Sequence, residues 1–240
     1  MSTVGNYRGP NIVKDGLVLY LDAATSNSYN RYISPTTWKD ISSNGRTGTF
    51  INGLTYDSGN GGSIVFDGID DFVNLGNNSL DSVISGINNF TISCWVYKTN
   101  ENGVILSAWD TTPNRKIYIG FISDRVRVVG SSDGSDFFIA DGNVLTNNSW
   151  YNIVVTRLGS SGNSGISIYV NNTLQPLSFT GIFTSIISNS TNYRLGNRQD
   201  IINNAFPLNG RISNTQIYNR ALSSTEILQN YNATRARFGI

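Results

Sequence analysis

Hydrophobic and polar residues alternate along most of this chain. The stretch "GLVLYLD" places Leu17, Leu19 and Leu21 on one side of an extended backbone. The same period of two recurs in five further stretches, "FTISCWVYK", "RKIYIGFI", "DRVRVVG", "WYNIVVTRL" and "GISIYVNN". Each stretch predicts a β-strand with one buried face.

Dipeptides that form turns at low steric cost separate these strands. They are Asp15-Gly16, Asn44-Gly45, Asn52-Gly53, Asn102-Gly103, Asp133-Gly134 and Asp141-Gly142. Many short strands at nearly regular spacing are typical of a sandwich or a barrel. We therefore predict an all-β fold.

One segment, "LSSTEILQNY", has the pattern of a helix. Ser223 and Glu226 have the spacing of a capping box, and Leu222 and Ile227 can form the hydrophobic staple that accompanies it. We predict a short C-terminal helix that extends to about Tyr231. Glu226 then closes the start of the helix, which is a structural role and not a catalytic one.

The chain has 240 residues, a length at which all-β domains are commonly single. We predict one domain over residues 16–231, an N-terminal arm over residues 1–15 and a C-terminal tail over residues 232–240. Both ends are polar, which is typical of flexible tails. The alternative is that they are arms that lie against a neighbouring subunit.

The charge balance favours neither nucleic acid nor membrane as a partner. The chain carries 17 basic and 16 acidic residues, and it has no apolar run near the ~18 residues of a membrane span. The first residues, "MSTVGNYRGPNIVKDG", lack the apolar core of a secretory signal. Action outside a cell would then require another route, such as lysis or assembly into a particle.

The residue types exclude several kinds of catalysis. The chain has no histidine, so Ser-His-Asp and Cys-His sites and nearly all zinc sites are excluded. The single cysteine, Cys94, occupies an alternating strand position and is interpreted as a small buried residue. The only two glutamates are Glu101, in a turn, and Glu226. We predict that the protein is not an enzyme.

The stretch "SIVFDGIDDFVNLG" places three carboxylates, Asp67, Asp70 and Asp71, within five residues. Asp67-Gly68 has the pattern of a hairpin tip that joins "SIVF" to "FVNL". In a tight hairpin Asp70 and Asp71 would point to opposite sides, since successive strand residues alternate. This pattern favours a turn with structural hydrogen bonds, and a cation contact is the alternative.

The order of the motifs resembles a known family. These motifs are "DGLVLYLDAATSNSY", "WKDISSNGRTGTF", "GGSIVFDGIDDFVNLG", "FTISCWVY", "SWYNIVVTR", "ISIYVNNTLQ", "YRLGN" and "LNGRISNTQIYNRALSSTEILQNYN". The set is similar to concanavalin A-like, laminin G-like jelly-roll domains, to which pentraxins are related. The resemblance implies a two-sheet antiparallel sandwich whose concave face or loop rim binds ligand.

The resemblance also implies candidate site residues. Pentraxins hold calcium with acidic and amide residues, and the matching positions are Asp110 and Asn114 in "SAWDTTPNRKIYIG" and Gln199 and Asp200 in "YRLGNRQD". Arg198 stands where the family has an acidic residue, so we expect weak calcium binding. Beside them Trp109 is the predicted ligand-binding residue, because a sugar can stack on its ring.

The glucanases of this superfamily carry a Glu-x-Asp-x-Glu motif, which this chain lacks. The stretches "LVLYLDA" and "ALSSTEILQNYNATRARFG" look like those of tailed-phage virion proteins. We therefore expect a non-catalytic virion surface protein, either a capsid decoration or a tail or fibre component. Its partners would be other virion proteins, copies of itself or a host glycan. The alternatives are a secreted, extracellular carbohydrate-binding module and, third, a degenerate glycanase.

Overall fold

A computed structural model describes residues 10–159, 162–199 and 206–240. Within these ranges the strands form two sheets that pack face to face, and every strand pair is antiparallel. This confirms the predicted all-β, two-sheet antiparallel sandwich with a short C-terminal helix.

The first sheet has eight strands, numbered here in chain order: β1 (Leu17–Asp22), β4 (Thr55–Asp57), β5 (Ser63–Asp67), β7 (Phe90–Lys98), β12 (Ser149–Arg157), β13 (Ile166–Val170), β14 (Thr173–Leu174) and β17 (Asn209–Tyr218). Their order is β14-β13-β12-β7-β17-β5-β4, and β1 also pairs with β17.

The second sheet has nine strands: β2 (Thr37–Trp38), β3 (Gly48–Ile51), β6 (Phe72–Asn77), β8 (Gly103–Trp109), β9 (Arg115–Ile122), β10 (Arg125–Ser131), β11 (Phe137–Val144), β15 (Ser178–Thr180) and β16 (Asn192–Leu195). Their order is β15-β11-β10-β9-β8-β16-β6-β3-β2.

The core lies between the sheets and follows the predicted alternation. In β7, Phe90, Ile92, Cys94 and Val96 all belong to the main buried cluster. Burial raises the pKa of the Cys94 thiol to about 12, opposed by a hydrogen bond from the Thr215 hydroxyl. The thiol is therefore a buried apolar group, as the sequence pattern indicates.

The predicted helix start is confirmed. Helix α2 spans Ser224–Thr234, and the Ser223 hydroxyl and the Glu226 carboxylate each accept the other residue's backbone N–H. The Arg220 guanidinium also donates to both oxygens of Glu226, at 2.9 and 2.6 Å. A second helix, the single turn α1 (Asp81–Ile84), has no comparable signal in the sequence.

Part of the predicted C-terminal tail, residues 232–240, packs on the rest of the domain. Residues Arg235–Phe238 form a 3-10 helix that continues from α2. Phe238 stacks on Trp95 with the ring centroids 3.9 Å apart, and it packs at a tilt against Trp150 with the centroids 4.7 Å apart. The Arg237 guanidinium donates two hydrogen bonds to Asp22. Aromatic stacking and charge pairing therefore hold a segment that polar composition alone marked as a tail.

The N-terminal arm is described only in part, since residues 1–9 lie outside the described residues. Val13 is buried beside α2, where its N–H donates to the Asn230 side chain and its carbonyl accepts from the Tyr218 hydroxyl. The end of the predicted arm therefore packs on its own domain.

Two predicted turns differ in the structure. Asp141-Gly142 lies inside β11, where Asp141 pairs opposite Arg127 and accepts two hydrogen bonds from it. Asp67-Gly68 is not a hairpin tip. The chain leaves the first sheet at Asp67 and enters the second sheet at Phe72, so the segment between them crosses from one sheet to the other.

None of the helices in the described ranges has the length and apolar character that a membrane span requires.

The docking of Phe238 predicts that its ring contributes strongly to stability. Phe238 is 8% exposed, so Phe238→Ala removes a buried aromatic contact and we expect a loss of about 2–4 kcal/mol in the free energy of unfolding. Ile240 is 43% exposed, so Ile240→Ala is the matched control and should change it by less than about 0.5 kcal/mol. Urea unfolding measures both, and equal effects would contradict the docking.

The start of α2 predicts a specific response to acid. Hydrogen bonds from Arg220 and from the Ser223 backbone lower the pKa of Glu226 from 4.5 to about 2. Because the folded-state pKa is the lower one, the carboxylate stabilises the fold fully above pH 4.5 and loses this effect as the pH falls toward 2. Glu226→Gln should therefore reduce the fall in Tm between these pH values.

The control for this pH series is Glu101→Gln, which replaces the other glutamate of the chain. Its Tm profile should run parallel to that of the wild type. If Glu226→Gln also ran parallel to the wild type from pH 4.5 to 2, the carboxylate would not act at the helix start in the way described.

Candidate functional site

A cluster of apolar side chains lies on the face of the nine-stranded sheet that points away from the core, called here the outer face. In β9, Ile117 and Ile119 point into the core, so Tyr118 between them points outward. Tyr118 packs with Trp109 and Val129 in a cluster separate from the main core. An apolar group on an outer face is a common feature of ligand sites where part of it is exposed to solvent.

The exposed ring of this group is Phe137. Trp109 is only 5% exposed, and it packs edge-on against Tyr118 with the centroids 5.1 Å apart. Phe137 is 36% exposed and lies 5.2 Å from Trp109, while the Arg115 guanidinium lies 5.5 Å from the Phe137 centroid. Trp109 and Arg115 therefore support Phe137, whose ring remains open to solvent.

The loop before Phe137 is held by hydrogen bonds to Asp133. The Asp133 carboxylate accepts from the backbone N–H groups of Ser135 and Asp136, at 2.7 and 2.8 Å. The hydrogen bonds from the Asp136 and Ser135 backbone lower the pKa of Asp133 below its ordinary value. Asp133 thus has a structural role, and it leaves the Asp136 side chain exposed beside Phe137.

A cleft of about 380 Å³ opens beside these residues. It is lined by Gly130, Ser132, Asp136, Phe137, Phe138, Gly181, Ile182, Thr184 and Ser185. Its lining residues include the partly exposed aromatic Phe137, the acidic Asp136 and three hydroxyl-bearing residues, Ser132, Thr184 and Ser185, whose side chains can both donate and accept. A sugar presents the complementary groups, namely an apolar C–H face and a rim of hydroxyls.

The predicted rim residues lie close to Trp109. The Asp110 N–H donates to the Asn114 carbonyl in the turn between β8 and β9, and the Gln199 N–H donates to the Trp109 carbonyl. The structure therefore brings three of the four predicted metal ligands to one end of the outer face. The fourth, Asp200, lies outside the described residues.

The described rim oxygens are partly engaged. One Asp110 oxygen accepts the Thr111 N–H, and the Gln199 amide oxygen accepts from Asn192. Burial lowers the pKa of Arg194, and the charge of the Asp110 carboxylate opposes that shift. The Arg194 guanidinium is therefore already a positive neighbour of Asp110. One carboxylate and two amides do not by themselves fit a strong calcium site. Calcium at this rim stays a prediction.

A second, smaller cleft of about 240 Å³ lies in the loop after β1. Tyr29, Tyr32 and Tyr56 line it, and the Arg31 guanidinium lies 4.8 Å from the Tyr32 centroid and 5.3 Å from that of Tyr56. The Tyr32 ring is 81% exposed. This cleft supplies rings and no acidic side chain, so it offers less hydrogen-bond acceptance than the Phe137 cleft.

The comparison with protein-family models gives one match. Residues 66–228 match the model described as the concanavalin A-like lectin/glucanases superfamily. The chain belongs to this superfamily. A search of curated protein sequences finds no match.

Solved structures share this superfamily fold at low identity. Domain 4 of AbnA, a GH43 extracellular arabinanase from Geobacillus stearothermophilus in complex with arabinotriose, is 16% identical with a TM-score of 0.62, over 90% of this chain and 98% of that one. The binding domain of Paraclostridial Mosquitocidal Protein 1 is 18% identical with a TM-score of 0.62. The match covers 92% of this chain and 52% of that one.

Botulinum neurotoxin type C is a further neighbour, from a structure whose subject is cell entry dependent on two ganglioside molecules. It is 16% identical with a TM-score of 0.62, over 92% of this chain and 52% of that one. At these identities the neighbours establish the shared fold of the superfamily.

The sequence predicts Trp109 as the ligand-binding residue, whereas in the structure Phe137 is the more exposed of the two rings. Trp109 stands at a strand end next to Asp110, and this position marks it as a site residue. The burial of Trp109 beneath Phe137 depends on how the neighbouring strands pack, which the local sequence does not show. The signal for Phe137 was its position in "DFFIAD", where Phe137, Ile139 and Asp141 alternate with the core residues Phe138 and Ala140.

The loop that carries Asp136 predicts a steric effect at Gly134. Gly134 has φ +84°, and a Cβ there would lie 1.9 Å from the Pro113 carbonyl oxygen. Gly45 has φ +71° with no atom within 4 Å of its Cβ position, so it is the matched control. We expect Gly45→Ala to cost about 1 kcal/mol and Gly134→Ala at least about 2 kcal/mol more in urea unfolding. Equal costs would contradict the packing of the loop.

Proposed function

We propose that this chain is a non-catalytic carbohydrate-binding domain that holds a sugar in the Phe137 cleft. The observation that carries the proposal is the exposed Phe137 ring, which Trp109 and Arg115 contact, together with Asp136 in the lining of the same cleft. A ring fixed in this way loses little conformational entropy on binding, which favours contact with the apolar face of a sugar.

The comparisons support this proposal at the level of the fold. The arabinanase domain is described in complex with arabinotriose, and the neurotoxin is described with gangliosides, so related sandwiches bind glycans. Fold alone does not carry function, and the Phe137 cleft supplies the site-level argument.

The absence of catalysis is part of the proposal. Glycoside hydrolysis uses two carboxyl groups across the scissile bond. In this chain Glu226 is held by Arg220 and Ser223, and Asp133 accepts backbone N–H groups. These carboxylates have structural partners, which leaves Asp136 as the acid that faces the Phe137 cleft.

The setting of the domain is a further part of the proposal. We place it on the surface of a tailed-phage virion, as a capsid decoration or a tail or fibre component, on the resemblance of "LVLYLDA" and of the C-terminal stretch. The sugar would then belong to the host surface. Co-purification with phage particles tests the setting independently of the sugar site, and a secreted module would be recovered without them.

The cleft predicts the effect of removing its ring. We expect Phe137→Ala to weaken binding of the tightest glycan by about tenfold, because the stacking surface is lost, and Phe137→Tyr to retain binding. A glycan array that includes arabinotriose and ganglioside oligosaccharides identifies the glycan. Isothermal titration calorimetry then compares the variants.

The matched control for the Phe137 cleft is Tyr32→Ala, which removes the exposed ring of the second cleft. It should leave the affinity unchanged. Loss of binding in Tyr32→Ala with full binding in Phe137→Ala would move the site to the tyrosine cleft. An array on which no glycan binds would contradict the proposed function itself.

A further inference from the structure

Two crossings between the sheets lie side by side at one edge of the sandwich. The segment after β3 passes from the second sheet to the first through Asn52 and Gly53, and residues 68–71 pass back from β5 to β6. The Asn52 side-chain amide donates to the Asp70 carbonyl and joins the two crossings. We call this region the crossover pair.

Three carboxylates converge at the crossover pair. One oxygen from each of Asp67, Asp70 and Asp71 lies within 4.8 Å of the other two. The sequence pattern placed Asp70 and Asp71 on opposite sides, because it treated them as strand residues. They lie in a crossing and not in a ladder, so the alternation of a strand does not apply to them.

Each of these carboxylates retains an oxygen that accepts no hydrogen bond from the described residues. One oxygen of Asp67 accepts the Ile69 N–H, and Oδ2 of Asp71 accepts the Asp67 N–H. Asp70 accepts none through its carboxylate within the described part of the chain. No described lysine or arginine forms an ion pair with any of the three carboxylates.

The buried member of the group gives an independent indication of a ligand. Asp71 is only 4% exposed, and its Oδ1, beside Gly53, has no hydrogen-bond partner in the described ranges. A buried carboxylate oxygen without a partner is costly. Burial raises the pKa of Asp71, the Asp67 N–H opposes this, and repulsion from Asp67 and Asp70 adds to the rise.

We propose that the crossover pair binds one calcium ion through Asp67, Asp70 and Asp71. Calcium takes oxygen ligands at about 2.3–2.6 Å, so two ligands on opposite sides of the ion lie up to about 4.6–5.2 Å apart. The separations at the crossover pair fall within this span. Magnesium, with ligands at about 2.0–2.1 Å and strict octahedral geometry, fits a more compact set.

A bound ion would connect both sheets at their common edge. It would supply the partner that Asp71 Oδ1 lacks, and it would replace repulsion among three negative charges by attraction. This role is separate from sugar binding, since the Phe137 cleft is built from other strands and loops.

Calcium titration of the whole chain tests the site, with chelator-treated protein in isothermal titration calorimetry. We expect one ion per chain, and a rise in Tm of roughly 5 °C at a calcium concentration ~100 times Kd. Asp70→Asn should weaken binding about tenfold or more without unfolding the chain, because in the described ranges this side chain accepts no hydrogen bond and forms no ion pair. Asp71→Asn should do the same, and Asp70→Asn keeps the test valid if Asp71→Asn does not fold.

The matched control is Glu101→Gln, which changes an exposed carboxylate outside both candidate calcium sites and should bind calcium as the wild type does. Magnesium should bind at least about tenfold more weakly than calcium. Calcium binding lost in Asp110→Asn and kept in Asp70→Asn would assign the ion to the rim and overturn the proposal. A wild-type chain that binds no calcium at 10 mM, a concentration about tenfold above the weakest calcium modules, would also overturn it.

Discussion

Burial of alternate side chains between the two sheets is the constraint on which the rest of the structure depends. Each strand has a face committed to the core, so any ligand site must be built from outward residues, from loops or from the crossings between sheets. Ile119 and Tyr118 illustrate the division, since one packs in the core and its neighbour joins the outer face. The crossover pair lies in two of these crossings, and the Phe137 cleft is lined mainly by loop residues, with the core residue Phe138 beside them.

The strands and the helix start were predictable because their determinants are local. Alternation in "FTISCWVYK" identifies β7, and the spacing of Ser223 and Glu226 identifies the start of α2. The C-terminal segment was not predictable in this way, since the partners of Phe238 are Trp95 and Trp150, far away in the sequence. Composition alone marks such a segment as polar.

The site was predictable only in its outline. The resemblance implies that Asp110 and Gln199 lie on one rim. In the structure the Gln199 N–H donates to the carbonyl of Trp109, the residue before Asp110, and the calcium role of these residues stays a prediction. The packing of β8 and β11 in the sandwich determines that the Phe137 ring, and not the Trp109 ring, faces solvent. The convergence of Asp67, Asp70 and Asp71 also depends on the order of strands in the sheets, which no local pattern encodes. That order makes their segment a crossing between the sheets.

The central claim is that a sugar binds at the Phe137 cleft. Amide chemical-shift mapping tests it most directly, with ¹⁵N-labelled chain titrated with the glycan that the array selects. The account predicts that the largest shifts fall at residues 130–138 and 181–185, with small shifts near Tyr32 and Tyr56. Largest shifts around the tyrosine cleft, or shifts spread evenly over both sheets, would contradict it.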